Sequence, residues 1–448
     1  MEYLRQQLSK LVTKIQQSIA THKPEPFYEQ YYTYNWEKFD YSATGIDLGQ
    51  GRGGQLTKPN WLKAIHQISQ HLLNDPLFIQ TLQMLPQFSF DPSDPEYTLK
   101  QFVSRAIETQ LTTARQEVNK SINQLIESYI RQLKHQTVQV HASILLSGIT
   151  LQSDNIQLTP EISLRRTTPK DIAVPKPILD FSPITDNPIP TAVLDINTTL
   201  QEDGFAKFHQ DISHSIDILK LFGFGAIRMK ANMATSDSLL PRIYRQTQLG
   251  SLHPAVTVPP FYLDIAKEEK LKAFFPFMQQ HMPDLSGINR QINNLSVSFD
   301  RYIDACIESR IFERTVMYAV MGLEALYLNE NLELSYKLRM RCSKALSFCG
   351  LDPLEVQETI SAGYNIRSTF AHGDHVSTKD LKKYNEKFGN SQNITNRLCN
   401  FLRISLCATI ILDLKKDSLI KSLDNAMLSD THTQELRDQF SPLNQYIG

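Results

Sequence analysis

The sequence predicts an α+β chain of several domains, in which a helical region and a mixed α/β region precede an all-helical C-terminal bundle. Three observations carry this reading. The 448 residues correspond to two to four domains at roughly 100–200 residues each. Apolar residues recur at helical spacing toward both ends of the chain. Between about residues 138 and 164 the period falls to two.

Taken in order, Leu4, Leu8, Leu11, Ile15 and Ile19 predict an amphipathic helix that ends before Pro24. The stretch Tyr31 to Pro59, rich in aromatic, polar and Gly residues, reads as a long irregular segment. Val103, Ile107, Leu111, Ala114, Val118, Ile122, Leu125 and Tyr129 hold one stripe for about seven turns, a long helix or a helical hairpin arm. After His135 come short β-like runs: Val138 and Val140, Ile149 and Leu151, Ile156 and Leu158, Ile162 and Leu164, with Ser153-Asp154-Asn155 as turn chemistry. Thr168-Pro169-Lys170-Asp171 has the make-up of a helix start. Further strands are expected at Ala192 to Ile196, Ala226 to Met229 and Ala255 to Val258, with a helix from about Asp211 to Phe222. Pro175 to Pro190 reads as a surface excursion.

From about Asn289 the pattern is wholly helical. Ile292, Leu295, Phe299, Tyr302 and Cys306 open a stripe that Phe312, Val316, Val320, Leu323 and Tyr327 continue. Leu338, Cys342, Ala345 and Cys349 mark a helix closed by Gly350; Val356, Ile360, Tyr364, Arg367 and Ala371 mark one closed by Gly373. Leu398, Leu402, Ser405, Thr409 and Leu412 belong to a strongly apolar last helix, which makes a bundle of four or five members. The expected units are therefore residues 1–136, mainly helical; 137–285, mixed α+β; and 289–448, the bundle.

Lys and Arg total 46 against 47 Asp and Glu, without long blocks of one sign, so any polyanion must be met by a local patch. The five cysteines lack CxxC spacing, which fits reduced thiols better than disulfides or a zinc site. Met1-Glu2-Tyr3-Leu4-Arg5 is charged where a signal peptide would be apolar, and Ile404 to Leu412 is too short a run to span a membrane. A soluble, cytoplasmic protein without membrane contact is expected. Gly49-Gln50-Gly51-Arg52-Gly53-Gly54 formally matches GxGxxG, but Lys58-Pro59-Asn60 delays any helix and no acid follows at the required distance, so a loop is the better reading. His66 and His71, or His209 and His214, are out of phase for a shared metal. No nucleophile elbow or phosphate loop occurs, and no cofactor or metal is expected.

The candidate site is Arg367-Ser368-Thr369-Phe370-Ala371-His372, an Arg-x4-His arrangement at a predicted helix end. Arg367 shares the stripe of Val356, Ile360 and Tyr364, which directs it to a core or subunit contact, where a charge is either paired or awaits an anion. Glu324, an acid inside the apolar run Val320 to Tyr327, is the complementary feature. It can lock Arg367 into a register-fixing ion pair, or aim the arginine without neutralising its outer face. Histidine exchanges protons near neutral pH, and arginine offers a planar fork to anions. Together they form a minimal kit for RNA cleavage, the base taking the 2′-hydroxyl proton and the guanidinium stabilising the phosphorane. Five residues on one helix separate the two side chains by roughly 140°. Two copies related by a two-fold axis would converge them better than one.

Three segments in order, Gly322-Leu323-Glu324-Ala325-Leu326-Tyr327-Leu328, Leu334-Ser335-Tyr336-Lys337-Leu338-Arg339 and Ile366-Arg367-Ser368-Thr369-Phe370-Ala371-His372-Gly373, resemble an Apea-like HEPN domain. The resemblance covers about the last 150 residues. It implies an HEPN-like helical bundle and a metal-independent endoribonuclease that acts as a dimer or higher even oligomer. Two motifs would meet in one composite cleft, and the products would carry 2′,3′-cyclic phosphate and 5′-hydroxyl ends. Many members act as toxins or antiphage effectors. On this resemblance Arg367 and His372 are catalytic, and Ser368 stands where active members often carry Asn, Asp or His. Glu324, Ser368, Asp374 and His375 are auxiliary candidates, and Arg339 and Arg341 are candidate contacts to RNA phosphates. Residues before about 285, with 137–285 as the sensing or regulatory unit, would then sense a trigger or hold the nuclease in check, and a trigger or regulatory protein is the partner expected at these N-terminal regions. The competing expectation is a non-catalytic, RNA-binding or assembly protein in which Arg367 is structural.

Overall fold

The computed structural model describes residues 2–35, 40–42, 45–47, 52–87, 95–135, 137–168, 171, 191–201, 205–236, 246–249, 260–287, 290–308, 311–441 and 446. Among these residues no helix is long and apolar enough to cross a membrane. The expected strand Ala255 to Val258, the Pro-rich stretch Pro175 to Pro190, and Gly49 to Gly51 of the GxGxxG match lie outside the described residues.

The N-terminal region packs α1 (Glu2–His22), α2 (Leu62–Leu72), α3 (Pro76–Met84), α4 (Pro95–Thr112) and α5 (Val118–His135) around a core of its own. Leu4, Leu8, Leu11 and Ile15 are buried there against residues such as Ile68, Phe78, Phe102 and Ile126. The long stripe from Val103 to Tyr129 is thus a hairpin of two helices, in which Tyr129 stacks on Phe102 at 5.1 Å and shares a 3.2 Å hydrogen bond with Thr98. The segment read as irregular is largely extended: β1 (Phe27–Asn35) pairs antiparallel with β4 (Arg52–Asn60), and β2 (Asp40–Ser42) pairs with β3 (Gly45–Asp47). Aromatic residues at Tyr28, Tyr31, Tyr32 and Tyr34 favour the extended chain although no binary alternation marks it. Gly53 and Gly54 lie in β4 opposite Tyr34 and Thr33, a strand context that is wrong for a dinucleotide fingerprint.

In the middle region a six-stranded antiparallel sheet has the order β11-β10-β5-β9-β8-β7, formed by β5 (Thr137–Ser147), β7 (Asn155–Gln157), β8 (Ile162–Arg166), β9 (Ala192–Gln201), β10 (Arg228–Ser236) and β11 (Gln246–Leu249). A short β6 (Ile149–Leu151) pairs in parallel with β12 (Phe261–Leu263). The inner face, Val138, Val140, Ala142, Ile144 and Leu146 with Leu194 and Ile196, packs in one core with α6 (Phe205–Phe222) and α7 (Ile265–His281). Side-chain alternation puts Leu145, Val193 and Ala231 in a separate small cluster on the outer face. At the expected helix start, the Asp171 carboxylate accepts the Thr168 N–H at 2.7 Å, half of a capping box.

The C-terminal region is entirely helical among its described residues: α8 (Asn294–Ile303), α9 (Phe312–Tyr327), α10 (Leu334–Ser347), α11 (Pro353–Ala371), α12 (Thr378–Phe388), α13 (Ser391–Leu412), α14 (Lys416–Leu428) and α15 (Asp430–Phe440). That is more than the four or five members expected, because α12, α14 and α15 lie outside the stripes read from the sequence. Ile292, placed in the opening stripe, is 83% exposed and precedes the capping box of Asn293 and Ser296 that starts α8. A five-residue π segment, Asp304–Glu308, follows α8 and buries Cys306. The apolar helix α13 runs through the middle, and Gly322 of α9 allows the close approach: a Cβ there would meet Leu402 Cδ2 at 2.6 Å. All five cysteines are unpaired.

The sheet region and the bundle share a single hydrophobic core, whereas residues 4–133 form another. Polar contacts cross the same seam. Buried Arg403 of α13 donates from Nη1 to the Leu221 and Phe222 carbonyls at 2.9 and 2.7 Å, and Tyr302 Oη donates to the Lys220 carbonyl at 2.9 Å. These carbonyls belong to the C-terminal turn of α6, where a cation complements both the unpaired acceptors and the helix dipole.

Candidate active site

Helix α11 carries the motif. It starts at Asp352, whose side chain accepts the Leu354 and Glu355 N–H groups, with Pro353 in the first turn. It ends as its sequence predicts. Gly373 has φ +89°, its N–H bonds the Phe370 carbonyl, and the Asp374 N–H bonds the Thr369 carbonyl, the two bonds of a Schellman motif. His372 is therefore the last residue before the left-handed turn, exposed, with its backbone N–H bonded to the Ser368 and Thr369 carbonyls.

Arg367 lies one turn earlier and points to α9. Its Nη2 donates to Glu324 Oε2 at 3.3 Å, and its guanidinium carbon sits 5.8 Å from the centre of the Tyr364 ring. The arginine side chain is 30% exposed and the glutamate 16%. This is a single, long contact, since charge-assisted N–H···O bonds usually measure about 2.7–2.9 Å and arginine–carboxylate pairs are often bidentate. Glu324 Oε1 is buried without a hydrogen-bond partner among the described residues. Burial raises the Glu324 pKa, outweighing the Arg367 charge that lowers it. The acid thus does not saturate the arginine.

Arg341 shows what a saturated arginine looks like in the same bundle. It is 3% exposed, and its five N–H groups are all engaged: Nε and Nη2 with Asp424, Nη1 and Nη2 with Glu330, and Nη1 with the Tyr327 carbonyl, at 2.7 to 3.0 Å. It ties α10 to α14, and the expectation that it contacts RNA phosphates is corrected. Arg339, half-buried, keeps its place as a surface cation. With Asn365, Lys383, Tyr384 and Lys387 it lines a pocket of about 200 Å³ between α10, α11 and α12.

Of the auxiliary residues, His375 Nδ1 lies 3.5 Å from Glu313 Oε1, and its ring is 6.3 Å from that of Phe370. Glu324 near the end of α9 meets Arg367, and Glu313 near its start meets His375 beyond the end of α11, so the two helices run antiparallel with acids of α9 facing the motif. Glu313 was not singled out from sequence. Its signal is the eleven-residue separation from Glu324, close to three whole turns of one helix face. Ser368 is half-buried and Asp374 exposed. No hydrogen bond or ring contact joins Arg367 to His372.

Among the described residues no cluster of three or more His, Cys, Asp or Glu side chains is arranged to hold a metal ion. No protein-family model matches the chain, and no curated protein or solved structure does either.

Proposed function

We propose that the protein is a metal-independent endoribonuclease of HEPN type, acting as a toxin or antiphage effector, with Arg367 and His372 from two copies converging on one scissile linkage. The observation that carries this reading is the contrast between two arginines of one bundle. Arg341 has every donor engaged, whereas Arg367 makes a single 3.3 Å contact and stays 30% exposed on a helix that ends at an exposed histidine. A guanidinium held in place yet unsaturated is suited to a transient anion. In the proposed reaction His372 accepts the 2′-hydroxyl proton, O2′ attacks phosphorus, and Arg367 stabilises the phosphorane's charge. The P–O5′ bond then breaks, and the 5′-oxygen leaves with a proton donated by the imidazolium of a His372. The sheet region, joined to the bundle through one core, is the proposed sensor. Arg367→Ala and His372→Ala should remain folded and each lose at least about 100-fold in RNA cleavage in EDTA buffer. Undiminished cleavage by either variant sinks the assignment.

A second reading has one observation in its favour, the Glu324–Arg367 contact itself. In a non-catalytic assembly or RNA-binding protein, the pair would hold α9 against α11. Arg367→Ala would then lower the melting temperature substantially, and His372→Ala would leave it unchanged.

A further inference from the structure

Along α11, Ser361 and Asn365 line the pocket of about 200 Å³ that α10 walls with Arg339 and α12 with Lys383 and Tyr384. Position 372 lies seven residues beyond Asn365, which on an α-helix is two turns less roughly 20° and about 10 Å along the axis. His372, the C-cap of this helix, therefore stands at the end of the stripe whose earlier turns open into the pocket. The pocket holds more positive charge than its own residues neutralise. Lys387 pairs with Glu358 at 3.0 Å, and no other acid lines the cavity. Of the N–H groups of Arg339, only Nε–H has an acceptor among the described residues, the Ser335 carbonyl at 3.2 Å. Lys383 is exposed and makes no hydrogen bond or ion pair among the described residues. Helix α12 adds to the excess, with Lys379, Lys382, Lys383 and Lys387 against Asp380 and Glu386. A chain whose charges nearly cancel overall thus has a local basic surface beside the stripe that ends at His372.

The size of the cavity decides what fits. At about 200 Å³ it lies below the roughly 300–1,000 Å³ of sites that enclose a drug-sized ligand. A sphere of that volume is about 7 Å across, so an anion within hydrogen-bond reach of one wall, about 3 Å, lies near the opposite wall too. One phosphate between the α10 wall, with Arg339, and the α12 wall, with Lys383, meets that measure; a whole nucleotide does not. We propose that this pocket holds the phosphate of a neighbouring nucleotide when an RNA strand lies with its scissile linkage at His372, Arg339 and Lys383 being the phosphate-binding residues. The proposal rests on the nuclease reading for the place of the scissile linkage. It adds that the strand is positioned here through its backbone, without preference for the base at this nucleotide.

The test separates binding from cleavage. A single-stranded 2′-O-methyl RNA has no free 2′-hydroxyl to attack, so its binding to the full chain is read without turnover, by fluorescence anisotropy at about 50 to 200 mM KCl. Wild-type affinity should fall as salt rises. Arg339→Ala and Lys383→Ala should each make the log–log salt slope shallower by about 0.7, the value of one phosphate contact on a single strand. The change should be the same for oligo-A, oligo-C and oligo-U. Arg339→Lys, which keeps the charge, should restore the slope. With ordinary RNA, the Arg339→Ala, Lys383→Ala double variant should raise KM at least about tenfold and leave kcat nearly unchanged, the sign of lost uniform binding. No binding by the wild type, or a salt slope unchanged in both single variants, overturns the pocket whatever Arg367→Ala and His372→Ala do to cleavage. Losses that differ between the homopolymers overturn it in favour of a base pocket, and displacement of the RNA by an equal concentration of polyglutamate overturns it in favour of an acidic protein segment. Undiminished cleavage by Arg367→Ala and His372→Ala, with the slope still shallower in Arg339→Ala, sinks the nuclease reading and leaves the phosphate contact standing.

Discussion

Arg367 Nη2 reaches Glu324 through one oxygen only, Oε2 at 3.3 Å, while the second oxygen of that carboxylate is buried and bonded to nothing among the described residues. Desolvation therefore governs this acid more than its partner does, and its pKa is raised. A carboxyl with a raised folded-state pKa favours folding below its unfolded value, near 4.5, and loses that contribution as pH rises through the folded value. Glu324→Gln should accordingly be no less stable than wild type at neutral pH and less stable relative to it in mild acid. Urea unfolding of both proteins from pH 4 to 8 checks this; a wild-type advantage that grows with pH would show that the ion pair dominates.

Arg341 predicts the opposite slope. Hydrogen bonds from its guanidinium pull the Glu330 pKa down to about 2, so this pairing stabilises the fold fully above about 4.5 and is lost as pH falls toward 2. Arg341→Met should cost about 3 kcal/mol at pH 7. That is the lower end for a broken buried pair, because Glu330 and Asp424 are 33% and 42% exposed and can rehydrate. The variant's stability should also be flatter between pH 5 and 3, as denaturant titrations would record.

Gly373 sets the position of His372. At φ +89° an L-residue is strained, although a Cβ there would meet nothing within 4 Å. Gly373→Ala should therefore cost about 1–2 kcal/mol from backbone strain alone, and Gly373→Asn less. If His372 is the base, the alanine variant also loses cleavage beyond what its stability explains, measured well below its melting temperature.

Arg403 predicts how the sheet region and the bundle are joined. Arg403→Met leaves two buried carbonyls of α6 without their donor and should cost about 2–4 kcal/mol. The sheet region and the bundle should still unfold in one calorimetric transition, separate from the N-terminal helices. Three resolved transitions would contradict the shared core.

Much of the helical architecture was legible because the stripes bury most of the residues that define them: Val316, Val320, Leu323 and Tyr327 on α9, or Leu398 and Leu402 on α13. Gly350 and Gly373 announced helix ends because only a positive φ explains glycine there, and both have one. The β1–β4 pairing stayed hidden because Gly53, Gly54 and Pro59 in the return strand are poor strand formers, so pairing rather than propensity holds it. Arg339 and Arg341 looked alike in sequence, yet two residues on a helix are about 200° apart. One lines a surface pocket, and the other is sealed against carboxylates that arrive from α14 and the loop after α9. The Glu313–His375 contact joins positions more than sixty residues apart, and local spacing does not reveal such a pair.

The continuity of the core across the seam means that the C-terminal bundle is not a detachable cassette. Severed near residue 285, it would expose the apolar surface that now meets α6 and α7, and its central helix would carry a guanidinium stripped of its main-chain acceptors. On the proposed nuclease reading, the sheet region would restrain the bundle in place rather than be shed from it.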